Sequence, residues 1–288
     1  MQLENSSNGE LYVVATPIGN LRDITLRAID ALKSVDLIAA EDTRVTVNLL
    51  RAHNISTQMI SLHKHNEQQS VEKILALLKE GKTVALVSDA GTPAVSDPGA
   101  LLVKNIRDAG YRVTPIPGPC AAITALSAAG LNGTGFLFYG FLPTKSTARK
   151  AVISQIKTQV SPIIFYEAPH RIIELTEDLQ TMLEGNRVIT FARELTKRFE
   201  SIYSCPLSRA LEWLKEDTDR QRGEFVVIVA GYIEESVGIE LKAQETLQIL
   251  LKELPLSQAA SIAAQITGYK KNDLYDLALQ WKNGTRSL

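Results

Sequence analysis

At 288 residues, 45% hydrophobic and 22% charged, the chain has the size and composition of a globular protein of one large or two moderate domains, not of a disordered, fibrous or membrane-embedded one. Its formal net charge of -1 excludes a protein that coats nucleic acid through a broad basic surface, but leaves room for a local basic cleft. Cys120 and Cys205 have neither disulfide-framework nor zinc spacing, no apolar run approaches the roughly 20 residues of a membrane span, and residues 1–10 form a polar tail without a secretory core, so a cytoplasmic location is expected.

From residue 11 to residue 129, short β-rich apolar runs alternate with longer helical patterns. Residues 11–14, 36–40, 58–62, 83–87 and 112–116 read as strands, and 25–34, 43–52, 68–79, 98–109 and 119–129 as helices. Parallel neighbours need crossover connections, so this alternation predicts a doubly wound α/β domain over residues 11–132. The run Asn132-Gly133-Thr134-Gly135 interrupts the rhythm, and a second α/β domain is expected over 133–236. Its strands are 136–141, 162–166, 187–193, 200–204 and 225–230, its helices 146–159, 171–181 and 208–215, and its sheet is expected to be mixed. After Gly238 three helical segments (242–253, 257–267, 271–282), with Ser257 as an N-cap, form an appendage over 237–288. It reads equally as a helix–turn–helix that binds RNA or another subunit and as a plain helical cap.

Ligands of open α/β sheets bind outside the carboxyl ends of the strands. The turns there are unusual in this chain: Ala15-Thr16-Pro17-Ile18-Gly19-Asn20 after the first strand, a long run from Ser88 to Gly99 after the fourth, and Pro117-Gly118-Pro119-Cys120-Ala121-Ala122 after the fifth. Small residues in the second run allow close backbone approach, its hydroxyls can donate, and Asp89 can accept from an amine or a ribose. No Gly-x-Gly-x-x-Gly and no Gly-Lys-Ser/Thr ending is present, so a ligand without a phosphate tail is expected.

Charged runs follow other strands: Glu41-Asp42-Thr43-Arg44, Tyr166-Glu167-Ala168-Pro169-His170-Arg171 and Arg193-Glu194-Leu195-Thr196-Lys197. Basic clusters also occur at Arg44, Arg51 and His53, at His63-Lys64-His65, at Lys145, Arg149 and Lys150, at His170-Arg171 and at Arg193, Lys197 and Arg198. Taken one at a time, these read as solvated faces. His63 and His65 lack an obvious third ligand, so no metal site is expected.

Together, Ala15-Thr16-Pro17-Ile18-Gly19-Asn20-Leu21, Glu41-Asp42-Thr43-Arg44, Ser88-Asp89-Ala90-Gly91-Thr92-Pro93 and the two later charged runs resemble the ribosomal RNA small subunit methyltransferase I family of the tetrapyrrole methylase superfamily, over about residues 11–282. The resemblance implies two α/β domains with a cleft for S-adenosylmethionine between them. It also implies a homodimer that methylates a cytidine ribose 2′-oxygen in the decoding centre of 16S rRNA, within the small ribosomal subunit, with no DNA or membrane partner. Carried over residue by residue, Ser88, Asp89, Ala90, Gly91, Thr92, Val95 and Ser96 would line the cofactor, with Ala121, Ala122 and Tyr166 completing the pocket. Glu167, Glu41 and Asp42 are the candidate bases, and Arg44, Lys145, Arg171, Arg193 and Lys197 would hold phosphates or the developing alkoxide. A methyltransferase acting on a tetrapyrrole or other small molecule would share fold and cofactor site. The Glu41-Asp42-Thr43-Arg44 run, the basic residues and the helical appendage favour RNA. A non-catalytic RNA- or ribosome-binding protein would leave the strand-end motifs unexplained.

Overall fold

The computed structural model describes residues 9–63, 66–131, 135–233 and 241–284. Strands β1 (Glu10–Val14), β2 (Leu37–Ala40), β3 (Met59–Ser61), β4 (Thr83–Val87) and β5 (Arg112–Ile116) form a five-stranded sheet in the order β3-β2-β4-β1-β5, every pair parallel. Helices α1 (Leu26–Ser34), α2 (Thr43–Ala52), α3 (Glu67–Lys79) and α4 (Ala100–Asp108) connect them. Alternate residues of the strands feed two cores. Tyr12, Val14, Ile38, Ala40, Ala85 and Val87 pack with Ala28 and Leu32 of α1 and Leu49 of α2, while Leu11, Ala39, Val84 and Leu86 pack with Ile74 of α3 and Leu102 and Ile106 of α4. The chain leaves β1 toward one face and β4 toward the other, which opens a crevice at their carboxyl ends.

Sequence signals set most of these ends. Thr25 caps α1 by accepting from Ala28 N, and Asp42 caps α2 by accepting from Arg44 N. Helix α4 starts at Ala100, two residues after the expected Pro98, because Gly99 at φ +122° precedes it and Glu67 caps its first turn from α3. Of the expected tail, Gly9 and Glu10 are buried and Glu10 opens β1; residues 1–8 lie outside the described residues. The expected domain boundaries at 132/133 and 236/237 also lie outside them.

The second sheet has β6 (Leu137–Phe141), β7 (Ile163–Glu167), β8 (Val188–Arg193), β9 (Ser201–Pro206) and β10 (Phe225–Val229) in the order β6-β7-β10-β8-β9. β6 and β7 are parallel and the other pairs antiparallel, so the sheet is mixed, as expected. One face is covered by α6 (Ser146–Ile156), α7 (Ile172–Met182) and α8 (Leu207–Glu216), through Ile163, Phe165, Phe191, Val227 and Val229. The other face packs Ile164, Ala192, Val226 and Ile228 against Ala122 and Ala125 of α5 (Ala121–Ala128), the helix that follows β5. Small side chains on α5 let the second sheet approach its backbone closely.

Residues 233–288 are a separate unit, described by α9 (Leu241–Glu253), α10 (Leu256–Thr267) and α11 (Lys271–Gly284) around Leu247, Ala259, Ala263 and Leu274. Ser257 is not the N-cap of α10. That position falls on Pro255, whose extended backbone turns the chain into the helix, and Ser257 lies inside the first turn. No helix among the described residues is long and apolar enough to cross a membrane.

Candidate active site between the two sheets

Three turns at the carboxyl edge of the first sheet are tied to one another. Thr16 and Gly91 exchange backbone hydrogen bonds of 2.9 and 3.0 Å, Thr16 Oγ1 donates to the Ser88 carbonyl at 3.0 Å, and Thr92 Oγ1 donates to the Pro119 carbonyl at 3.0 Å. Asp89 Oδ1 accepts from Asp42 N at 2.9 Å. At the far end of the same loop Glu67 Oε1 accepts from Gly99 N and Leu101 N at 3.0 and 3.1 Å. The small, hydroxyl-rich run from Ser88 to Gly99 is thus pinned at both ends.

The second sheet contributes the strained turn after β8. Glu194 and Thr196 adopt φ of +52° and +66°, a region non-glycine residues seldom occupy. Hydrogen bonds hold them there: Glu194 Oε1 accepts from Glu224 N and Lys197 Nζ, both at 2.9 Å, and Thr196 Oγ1 accepts from Asn20 N at 3.0 Å. Gly19 is required at this junction, since a Cβ there would lie 2.6 Å from Lys197 Cγ and 2.9 Å from the Leu195 carbonyl oxygen. The turn therefore clamps the loop after β1 against the second sheet.

These turns enclose a cavity of about 500 Å³, within the range of about 300–1,000 Å³ usual for small-molecule sites. Ile18, Ala90, Gly91, Thr92, Val95, Ser96, Asp97, Cys120 and Ala121 line it from the first sheet's side. Phe141, Tyr166 to His170, Ala192, Leu195, Glu224, Phe225 and Val226 line it from the second. No Lys or Arg is among these; Asp97 is an acid of the wall, while Glu224 is already paired to Lys197 at 2.7 Å, so the lining offers no cation to a phosphate. Tyr166 spans the two sides: its hydroxyl accepts from Ala122 N at 3.1 Å, and burial, followed by the neighbouring Cys120, raises its pKa.

The predicted cofactor residues Ala90, Gly91, Thr92, Val95, Ser96, Ala121 and Tyr166 are all on the wall. Ser88 and Ala122 are buried just behind it, Ser88 with an unpartnered hydroxyl, and Asp89 belongs to the neighbouring Glu41–Asp42 cluster.

The predicted catalytic acids fall elsewhere. Glu167 reaches the cavity through its backbone only, because its side chain has no exposed area. Strand alternation turns it to the Phe165 face, where Oε1 accepts from Ala168 N at 2.8 Å and lies 3.2 Å from Arg171 Nε, without hydrogen-bond alignment. Burial raises its pKa. Asp42 is spent on Arg44, through contacts of 2.6 to 3.1 Å that lower its pKa to about 2, and neither Asp42 nor Glu41 is among the cavity residues.

Among the predicted phosphate holders, Arg193 donates to the Asp219 and Arg222 carbonyls, Lys197 is paired to Glu194 and Glu224, and Arg171 donates to the Leu142 carbonyl. Arg149, read in the sequence as part of a solvated basic face, is 1% exposed and bonded to Asp178 at 2.6 Å. Lys145 is exposed and makes no ion pair among the described residues. His63 belongs to a cluster that continues into Lys64 and His65, which lie outside the described residues, and no group of three or more potential ligands among the described residues is placed to hold a metal.

Sequence reasoning did not select Ile18, Asp97, Cys120, Phe141, Leu195 or residues 224–226 as site residues. Ile18, Asp97, Cys120 and Leu195 lie in runs the sequence singles out, whereas β10 is apolar throughout and Glu224 before it lies in no such run.

Comparison with known proteins decides between the families that share this architecture. Residues 10–211 match the family of tetrapyrrole (corrin/porphyrin) methylases, and residues 237–282 match the RsmI C-terminal HTH domain. Ribosomal RNA small subunit methyltransferase I of Escherichia coli O157:H7 is 50% identical over 279 residues, covering 97% of this chain and 98% of that protein. The protein of the same name from Vibrio cholerae serotype O1 is 52% identical over 271 residues, 94% of each. The chain belongs to the ribosomal RNA small subunit methyltransferase I family. Among solved structures, the methyltransferase CobJ superposes with a TM-score of 0.58 at 20% identity, over 81% of this chain and 98% of that one. Uroporphyrin-III C-methyltransferase of Thermus thermophilus complexed with S-adenosylhomocysteine superposes at 0.53 and 16% identity, over 77% and 97%. These two likenesses carry the fold alone, the α/β architecture that the family resemblance implied. The helical segments after residue 237 coincide with the second family match.

Proposed function

We propose that the chain transfers a methyl group from S-adenosylmethionine to the ribose 2′-oxygen of a cytidine in the decoding centre of 16S rRNA, acting on the assembled small subunit as a cytoplasmic homodimer. The observation that carries the reading is about 50% identity over nearly the whole chain, catalytic fold and helical appendage alike, with proteins named for ribosomal RNA. Proteins named for uroporphyrin and cobalt precorrin share the fold at 14–18% identity, which supports no tetrapyrrole substrate here.

The cavity fits the cofactor on its own chemistry. Asp97, on a wall without Lys or Arg, suits a ligand bearing sulfonium and ammonium charge, and the small wall residues allow close approach to an adenosyl group. When bound, S-adenosylmethionine supplies an electrophilic methyl. Residues 88–96 would hold its polar end, with Ala121, Ala122 and Tyr166 closing the other side. Residues 11–132 and 133–236 would then be the two domains that hold it between them. Orientation of the attacking oxygen is the main contribution open to such a site, worth about 7–11 kcal/mol where two reactants are fully aligned. Lys145, exposed and uncommitted, would hold phosphates, as would Arg44 once released from Asp42; Arg193 and Lys197 instead stiffen the wall. Because the carboxylates of Glu167, Glu41 and Asp42 are turned away or already paired, we assign proton removal to His170, a residue of the cavity wall.

The test is transfer of labelled methyl from S-adenosylmethionine to small subunits from a strain lacking the enzyme, with the modified nucleotide read by mass spectrometry. Label on one cytidine 2′-oxygen is expected. Cofactor binding without transfer to subunits or free RNA would overturn the substrate, and no cofactor binding would overturn the methyltransferase.

A further inference from the structure

β6 is the edge strand of the second sheet and its alternation is broken. Phe138 pairs with Ile164, but Gly140 pairs with Phe165 and Phe141 with Tyr166, so Tyr139 is an extra residue in a β-bulge. Without the bulge Phe141 would stand opposite Glu167, on the helix-covered face. With it, Phe141 joins Phe138 on the cavity face: both rings meet Tyr166 edge-on, at centroid distances of 5.7 and 5.0 Å, while Tyr139 packs on Phe165 behind. Gly140 makes the shift possible with φ +77°, which other residues rarely adopt. A bulge beside a site commonly re-aims one side chain.

The ring so delivered lines the cavity and is still 55% exposed. The loop that follows is held by two guanidinium groups. Arg171 Nη2 donates to the Leu142 and Pro143 carbonyls at 2.8 and 3.3 Å, and Arg149 Nη1 donates to those of Pro143 and Thr144 at 3.5 and 3.3 Å. Arg149 is in turn fixed by Asp178. A rigid aromatic ring with an open face, at the mouth of a cavity for methyl transfer and four residues before the uncommitted Lys145, matches how single-stranded nucleic acid is held: a π-face for a base and a cation for the backbone.

We infer that Phe141 is a stacking platform for an unstacked nucleobase of the substrate RNA, at or next to the nucleotide that is methylated. The inference rests on the proposed RNA methylation and deepens it: the substrate strand must leave its stack to enter.

Phe141→Ala and Phe141→Leu should lower kcat/KM for small subunits about 5- to 150-fold through KM, the range one stacked base is worth. Phe141→Trp should stay within about threefold of the parent, since it keeps a π-face. Binding of S-adenosylhomocysteine, followed by calorimetry, should change by less than about threefold in all three, well below the kinetic loss. Wild-type kinetics in Phe141→Leu, or weakened S-adenosylhomocysteine binding in step with the kinetic loss, would overturn the inference. A second reading is independent of turnover. Emission from the Phe141→Trp protein loaded with S-adenosylhomocysteine should be quenched by oligocytidylate beyond the change seen in the parent; no extra quenching refutes the platform. Failure of the wild type to methylate small subunits would instead strike the proposed function.

Discussion

Two carboxylate–arginine pairs flank the cavity, one from each sheet, and their surroundings give them opposite characters. On the first sheet's side, Arg44 is 89% exposed and grips Asp42 in open solvent, holding its pKa at about 2. On the second side Glu167 is sealed behind β7 with its pKa raised by burial, and its partner Arg171 is shared with the loop carbonyls at 142 and 143. In sequence both are acids followed by arginine just after a strand, and both suggest a base beside a cofactor. In space neither presents a free carboxylate to the cavity. The exposed pair sits at the start of α2, whose capping residue also donates its N–H to Asp89, and the buried pair fixes the turn 167–171 and the arm that carries Phe141. Charge next to a site is here mostly spent on holding backbone in place.

The largest effect should come from deepening that contrast on the buried side. Arg149→Ala removes the guanidinium from Asp178, whose pKa burial pushes up but hydrogen bonds from Arg149 and Ser146 hold below the usual range. Breaking a buried ion pair from one side costs about 3–5 kcal/mol. Lys150 at 3.3 Å and Ser146 remain on Asp178, which places the expected loss toward the lower figure. Urea unfolding at neutral pH measures it, and an unchanged midpoint would mean that the arm is not held as described.

Glu167→Gln comes next and separates scaffold from base. A general base contributes roughly 10²–10⁴-fold, whereas an isosteric amide in a buried scaffold should leave turnover within about tenfold of the parent. A loss of 10²-fold or more at saturating cofactor and subunit would return Glu167 to the chemistry. Stability adds a sign. A carboxyl whose folded pKa is raised contributes stability in its protonated form, present below the ordinary value of 4.5 and lost as pH rises through the folded value. The parent should therefore lose stability relative to Glu167→Gln as pH rises above about 4.5.

Most of the fold was legible because period-2 and period-3.6 apolar patterns report burial directly, and burial made this sheet order. The cofactor loop was legible for a different reason. Small and hydroxyl residues between Ser88 and Ser96 have no packing purpose that would explain so many together. Phe141 was not legible, because its use depends on one residue of bulge in an edge strand, and alternation read without the bulge points the ring away from the cavity. Arg149 was misread because sequence spacing shows a cation near Lys145 and Lys150, while its burial depends on Asp178, 29 residues further on. Glu167 shows the converse: the right residue run, with the strand's own alternation turning the side chain behind the wall.

The smallest effect is expected at the exposed pair, and it tests whether exposure is what separates the two sides. Asp42→Asn deletes the contacts to Arg44, but an exposed ion pair is worth little, and the amide oxygen can still accept from Arg44 N as an N-cap. Turnover should change by less than about threefold, and at neutral pH the parent should be slightly the more stable. That small advantage should disappear on the acid side. A carboxyl with a lowered folded pKa contributes stability above its ordinary value of 3.8, which is lost as pH falls toward about 2, so parent and variant should converge over that interval. Arg44, freed from Asp42, gains a guanidinium open to phosphate, so affinity for small subunits should hold or rise slightly at low salt. A large fall in turnover with intact S-adenosylhomocysteine binding would instead place Asp42 in contact with the reacting ribose, and the contrast between the two pairs would then be one of chemistry and not of exposure.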